Sequence, residues 1–145
     1  DQAKAIKMGE HSVNAYTNYS LYLKKTKNFN ESLIAAKKAN ELDRANGGPG
    51  MPTQYHLGWA YYDNGNYKDA VIALSEGIPY QSDFPYAYFY RALSYEKTGD
   101  INAAKEDLII VSKLLENEYW RDNSDGLLPE VIETLDRMNI NRKWN

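Results

Sequence analysis

The apolar and small positions of this chain repeat as a block. In YHLGWAYYDNGNYKDAVIAL, which begins at Tyr55, and FYRALSYEKTGDINAAKEDL, which begins at Phe89, similar residues recur at a constant offset of 34. Gly58 matches Ala92, Tyr61 matches Tyr95, Gly65 matches Gly99, Ala70 matches Ala104, and Leu74 matches Leu108. A fixed period of this size means that the repeating unit is a supersecondary one. A more degenerate copy lies upstream in YTNYSLYLKKTKNFNESLIAAKKA, where Ser20, Leu23, Phe29, Ser32, Ala36 and Ala39 fill the same phases. Four residues must be inserted to bring it into register, and the string GGPG from Gly47 to Gly50 supplies four helix breakers at that point. Three repeats are therefore predicted, over about 13–46, 51–84 and 85–118.

Each repeat reads as two antiparallel helices. In the second, a helix over about Pro52–Asn64 carries Pro in its first turn, where no intrahelical donor is lost. Gly65 then provides a left-handed stop, and Asn66 with Asp69 three residues on provides a partial capping box for the next helix. Gly99-Asp100 repeats this stop and start, while Asn28 and Glu31 give the start alone. In isolation Asn64-Gly65 would predict a hairpin between strands, and the period overrules it. Gly58, Ala70, Ala92 and Ala104 fall where paired helices approach closely, with Tyr61, Tyr67, Leu74, Tyr95 and Leu108 supplying bulk between them. Such a unit cannot bury its apolar face alone, so the prediction is an all-α solenoid forming a single domain over residues 1–145. Leu128, Val131, Ile132, Leu135 and Met138 follow the i, i+3, i+4, i+7 pattern of a capping helix over about 128–139. Ala5, Ile6 and Met8 are expected to extend the first helix upstream.

The period, the two helices per unit and the string LGWAYYDNGNYKDAVIAL together resemble the tetratricopeptide repeat family. Leu57, Gly58, Tyr61, Gly65, Tyr67 and Ala70 match its signature in the second unit, and Ala92, Tyr95, Gly99 and Ala104 do so in the third. Departures are Gln54 where the pattern prefers an aromatic, Gly77 for the usual Ala, and Arg44, Ser82 and Glu116 where a unit-ending Pro is customary. The resemblance implies a right-handed superhelix of three helix pairs whose first helices line a concave groove for a peptide or partner segment. By that geometry the inner face carries Asn14, Thr17, Leu21, Lys24 and Lys25, then Pro52, Tyr55, Trp59, Tyr62 and Asp63, then Tyr86, Phe89, Leu93, Glu96 and Lys97. Tyr61, Tyr67, Tyr88 and Tyr95 occupy core phases. For Tyr55, Trp59, Tyr62, Tyr86 and Phe89 two readings stand, packing between helices or an exposed aromatic surface of the kind that marks interaction sites. The partner-binding expectation rests on Leu21, Lys24, Tyr55, Trp59, Tyr62, Tyr86, Phe89 and Leu93. A carboxylate clamp of the co-chaperone type is not expected, because its phases hold Thr17, Leu21, His56, Tyr86 and Tyr90.

Composition narrows the chemistry. A net charge of -3 disfavours general nucleic-acid binding, and no apolar run approaches the ~20 residues of a membrane span. Cys is absent, which excludes thiolate catalysis and disulfides and leaves the compartment open. His11 and His56 lack partners at metal-ligand spacing, and RDNSDG from Arg121 places Arg121 and Ile132 where calcium ligands belong. Glu106 and Asp107 read as solvent-facing charge, and the sequons at Asn18 and Asn30 fall in or near helices. No phosphate loop or nucleophile elbow is present, so no enzyme activity, metal or cofactor is expected. The expected role is a protein-binding adaptor or scaffold, with a structural subunit acting through homo-oligomerisation or fixed packing as the alternative. Lys24, Lys25 and Lys27 read as a solvated helix face or as a docking point for an acidic segment, and Trp120 or Trp144 could fold back onto the groove.

Overall fold

A computed structural model describes residues 12–145. The residues expected to extend the first helix, Ala5, Ile6 and Met8, lie outside the described residues, as does His11. The helices are α1 (Val13–Lys25), α2 (Phe29–Ala45), α3 (Met51–Asp63), α4 (Tyr67–Gly77), α5 (Pro85–Lys97), α6 (Ile101–Leu114), α7 (Glu118–Asp122) and α8 (Leu128–Arg137), with a 3-10 turn at Ile78–Tyr80. Each helix from α1 to α6 packs on the next, and α3 also touches both α1 and α5, so the first helices of the three pairs line up along one face.

The small residues set the spacing of each pair. A Cβ on Gly58 would stand 2.4 Å from Leu74 Cγ, so α3 and α4 come together only because that position has no side chain. In the first pair the equivalent residues are serines. Ser20 Oγ donates to the Ser32 carbonyl and Ser32 Oγ donates to the Ser20 carbonyl, both at 2.8 Å, which satisfies two buried hydroxyls while the helices remain close.

The helix ends repeat as the sequence predicts. After α3 and α5, Gly65 and Gly99 adopt φ of 77° and 87°, and the following N–H groups of Asn66 and Asp100 reach back to the Tyr61 and Tyr95 carbonyls at 2.9 Å. This is the Schellman arrangement that satisfies otherwise unpaired carbonyls. Asp100 caps α6 by accepting from the Ala103 N–H at 3.4 Å. Asn28 and Asn66 make no side-chain cap, contrary to the expectation, and Asn28 donates instead to Thr26 Oγ1 at 2.8 Å.

Two apolar clusters hold the stack. Leu33, Ala36, Leu57, Ala60 and Ala73 join the first two pairs, while a larger cluster runs from Met51 and Leu74 through Phe89, Leu93 and Leu108 to Val131, Leu135 and Trp144. Asp107 is not the solvent-facing charge expected from its acidic neighbour. It is 3% exposed and accepts two hydrogen bonds from Arg91, at 2.8 and 2.7 Å, and Arg91 also reaches Ser75 Oγ at 3.1 Å. The bidentate geometry compensates for burial of the carboxylate and ties α4, α5 and α6 together. The capping helix ends at Arg137, two residues before the predicted limit, with Asn139 at φ 59° as its left-handed stop.

Candidate functional site

Helix α3 builds the centre of the concave face because its aromatics Tyr55, Trp59 and Tyr62 recur near helical spacing. Tyr55 and Trp59 are one turn apart, with ring centroids separated by 5.8 Å. Trp59 stacks on Tyr90 of α5 at 5.2 Å, and Tyr62 meets the same Tyr90 at 5.5 Å. Tyr55 packs edge-on to Phe84 at 4.9 Å, and Phe84 meets Trp120 at 5.4 Å in the same manner. The rings form one continuous surface from Tyr62 to Trp120. Tyr90, Phe84 and Trp120 were not among the expected groove residues. Their signal was weak, because Tyr90 shares its repeat phase with His56 and Phe84 precedes its helix.

The structure divides the predicted residues into two groups. Trp59, Tyr62, Lys24 and Leu21 are partly exposed. Tyr55, Tyr86, Phe89 and Leu93 are buried, with Phe89 at 0% exposure. Tyr55 is enclosed by Trp59, Phe84 and Tyr90, while Phe89 and Leu93 share one apolar cluster with Val131 and Leu135 of α8. Tyr86 is held from the other side, where its hydroxyl donates to the Trp120 carbonyl. The inner face of the third pair is thus largely a seat for the C-terminal segment, and the open aromatic surface centres on the second pair. Trp120 lies at one end of that surface. Trp144 does not reach it, since its Nε1–H donates to the Ser112 carbonyl of α6 at 2.9 Å.

Charge converges on the aromatics. The Lys24 ammonium lies 4.2 Å from the centroid of Trp59 and pairs with Asp63. Burial lowers the Lys24 pKa, and the hydrogen bond that its ammonium donates to Asp63 opposes that shift. Lys24 is therefore committed to the site itself and does not combine with exposed Lys25 and Lys27 as a free basic patch. His56 packs on Tyr55 at 5.3 Å, and burial followed by the nearby Lys24 charge pushes its imidazole down to about 4. Burial also raises the Tyr55 and Tyr90 phenols well above their ordinary range.

Two clefts flank the rings. One of about 490 Å³ lies among Tyr55, Phe84, Tyr86 and the Asp122–Leu127 loop, and another of about 720 Å³ lies between Tyr62, α5 and α8. Among the described residues no three His, Cys, Asp or Glu side chains converge as a metal-binding group, and no helix is long and apolar enough to cross a membrane. What the arrangement offers chemically is apolar contact area, ring faces and carboxylates.

Comparison with known proteins accords with this architecture. The crystal structure of the Yersinia enterocolitica type III secretion translocator chaperone SycD, in an alternative dimer, superposes with a TM-score of 0.72 at 16% identity, covering 88% of this chain and 92% of that one. SycD in complex with a peptide of the translocator YopD gives 0.70 at 16% identity with the same coverage. MamA gives 0.65 at 18% identity, covering 94% of this chain and 85% of its own. No curated protein matches the chain in sequence. Tetratricopeptide repeat models match residues 13–46, 53–76 and 86–112, which together exceed half the chain and coincide with the three helix pairs. By its period, its paired helices, their stacking into a right-handed superhelix and these matches, the chain belongs to the tetratricopeptide repeat family.

Proposed function

We propose that this protein is a non-catalytic interaction module that binds a peptide or partner segment along its concave aromatic surface and acts as an adaptor or scaffold. The observation that carries this reading is the continuous ring surface from Tyr62 through Trp59 and Tyr90 to Tyr55 and Phe84, left partly open on the second repeat. Large rings with few rotatable bonds give contact area at small entropic cost, which is why Trp and Tyr dominate interface hot spots. A similar fold holds a translocator peptide in SycD, which supports a peptide as the kind of ligand.

The test compares capture of partners from the native lysate by the wild-type protein and by a Trp59→Ala, Tyr62→Ala variant, after circular dichroism shows equal helicity. Phe89 is unsuitable because it belongs to the core. A partner retained only by the wild type is expected, with truncation of Trp59 weakening binding by ~2 kcal/mol or more. Equal retention would overturn the groove reading. It would favour the alternative of self-association through the open end of the first pair, where Ile34 and Tyr22 are exposed beside Tyr16 and Tyr19.

A further inference from the structure

Every first helix offers one row of side chains to the pair before it. In α3 that row is Gln54, Leu57 and Ala60: Gln54 accepts from Asn40 of α2, and Leu57 and Ala60 share an apolar cluster with Leu33 and Ala36 of α2. Arg91 of α5, at the phase of Leu57, likewise donates to Ser75 of α4 at 3.1 Å. Allowing for the four-residue insertion, the same row in α1 is Tyr16, Tyr19 and Tyr22. No helix of the described residues precedes α1. Tyr22 is 50% exposed, whereas Ala60 at its phase is at 0%. Tyr16, Tyr19 and the 62% exposed Ile34 line a groove of about 680 Å³ between α1 and α2, and Tyr22 stacks on Tyr19 beside it at 6.5 Å. An apolar end of this kind marks an interaction surface.

The far end of the stack is closed. Ser112 stands at the phase from which Asn40 reaches the next pair, and its hydroxyl donates to the Asn141 carbonyl at 2.8 Å. Leu108 and Val111 beside it share a cluster with Val131, Leu135 and Trp144. A second copy therefore cannot extend the stack head to tail. The stacking surface left to it is the same α1 face, and like faces meet about a twofold axis, which closes at a dimer.

A twofold contact requires a self-complementary patch. The rim of the groove provides one, with Glu31 and Glu41 beside Lys37 and Lys38, all exposed. Lys37 is engaged in its own chain, 5.5 Å from the Tyr61 ring centroid. Lys38 makes a loose 3.6 Å contact with exposed Glu41, a pair that contributes little, and Glu31 has no ion-pair partner among the described residues.

We propose that this protein pairs with a second copy of itself through the α1 face, burying Tyr16, Tyr19, Tyr22 and Ile34 of both copies and setting Lys38 of each against Glu31 of the other. The pairing is independent of the groove reading, because it uses the stacking row of α1 and not its inner phases, Thr17 and Leu21.

Sedimentation equilibrium of the full chain over a range of concentrations is expected to show monomer and dimer and nothing larger. A Tyr22→Glu, Ile34→Glu variant, which alters exposed side chains only, should keep wild-type helicity by circular dichroism and weaken pairing by about 100-fold or more. Lys38→Glu and Glu31→Lys should each weaken self-pairing about tenfold, since like charges then face each other. Mixing those two variants should restore a heterodimer, because both crossed contacts become opposite pairs again. A single monomer mass up to about 100 µM would overturn the proposal. So would a dimer that the Tyr22→Glu, Ile34→Glu variant leaves intact, growth past the dimer, or mixed charge variants that pair no better than each alone.

Discussion

His56 lies against Tyr55 and Trp59, where burial and then Lys24 hold its imidazole down to about 4 from an ordinary 6.5. Between those two values the unfolded chain binds more protons than the folded one, so stability is full above 6.5 and is lost as the pH falls toward 4. Below the folded value the loss amounts to about 3 kcal/mol. A His56→Gln variant is expected to flatten the wild-type decline across that window when urea midpoints are compared, and an unchanged slope would contradict the assignment. Gln54 and Gly77 teach a related lesson. Each departs from the family pattern alone, yet a Cβ on Gly77 would stand 2.6 Å from Gln54 Cβ, so the two departures form one contact. Gln54 is then satisfied by donating to the Ala73 carbonyl at 3.0 Å and by accepting from Asn40. The sequence displays both substitutions, but their adjacency depends on how α3 crosses α4.

At the scale of the helix, the stop signals show where sequence reading succeeds. Gly65 and Gly99 are visible as glycines because the left-handed conformation they adopt disfavours a Cβ. The first pair needs the same conformation, and Lys27 supplies it at φ 64°, with Asn28 N–H reaching the Leu23 carbonyl at 2.8 Å. No residue type announces that stop, so the sequence there shows only the start at Asn28 and Glu31. Lys27 is exposed and without a close partner among the described residues, so Lys27→Gly is expected to raise stability by about 0.5–1 kcal/mol, the strain relieved less the added chain entropy. Thermal and urea unfolding check this, and a lower midpoint would refute it. The groove was legible in the same partial way. Trp59 and Tyr62 stand open as their phase implies, whereas Phe89 and Leu93 share that inner face and lie under α8.

For the molecule as a whole, the C-terminal segment closes the stack. Trp144 is buried against α6, with Arg121 and Arg142 over its ring at 5.6 and 5.3 Å and its indole N–H on the Ser112 carbonyl. Trp144→Ala is expected to cost about 3 kcal/mol of stability, read from urea unfolding. Partner affinity of the folded fraction should remain, because Trp144 lies away from the rings of the concave face. A loss of affinity without a loss of stability would place Trp144 at the binding surface instead. The sequence alone could only offer both tryptophans as candidate plugs. Trp120 does reach Phe84 at the groove's end, and Trp144 anchors the chain on another face.

By itself the sequence determined the unit, its period, its helix pairs and its aromatic inner phases. Those features are local: helical spacing, breakers and small residues act within a few turns of chain, and repetition multiplies the signal. The tertiary structure alone decided which inner residues stay open, that Asp107 is buried on Arg91, and that Glu130 and Glu133 come to face Tyr62. The first and last depend on where α8 comes to rest after the last repeat, and the second on how α5 packs against α6, long-range choices that no periodic pattern encodes.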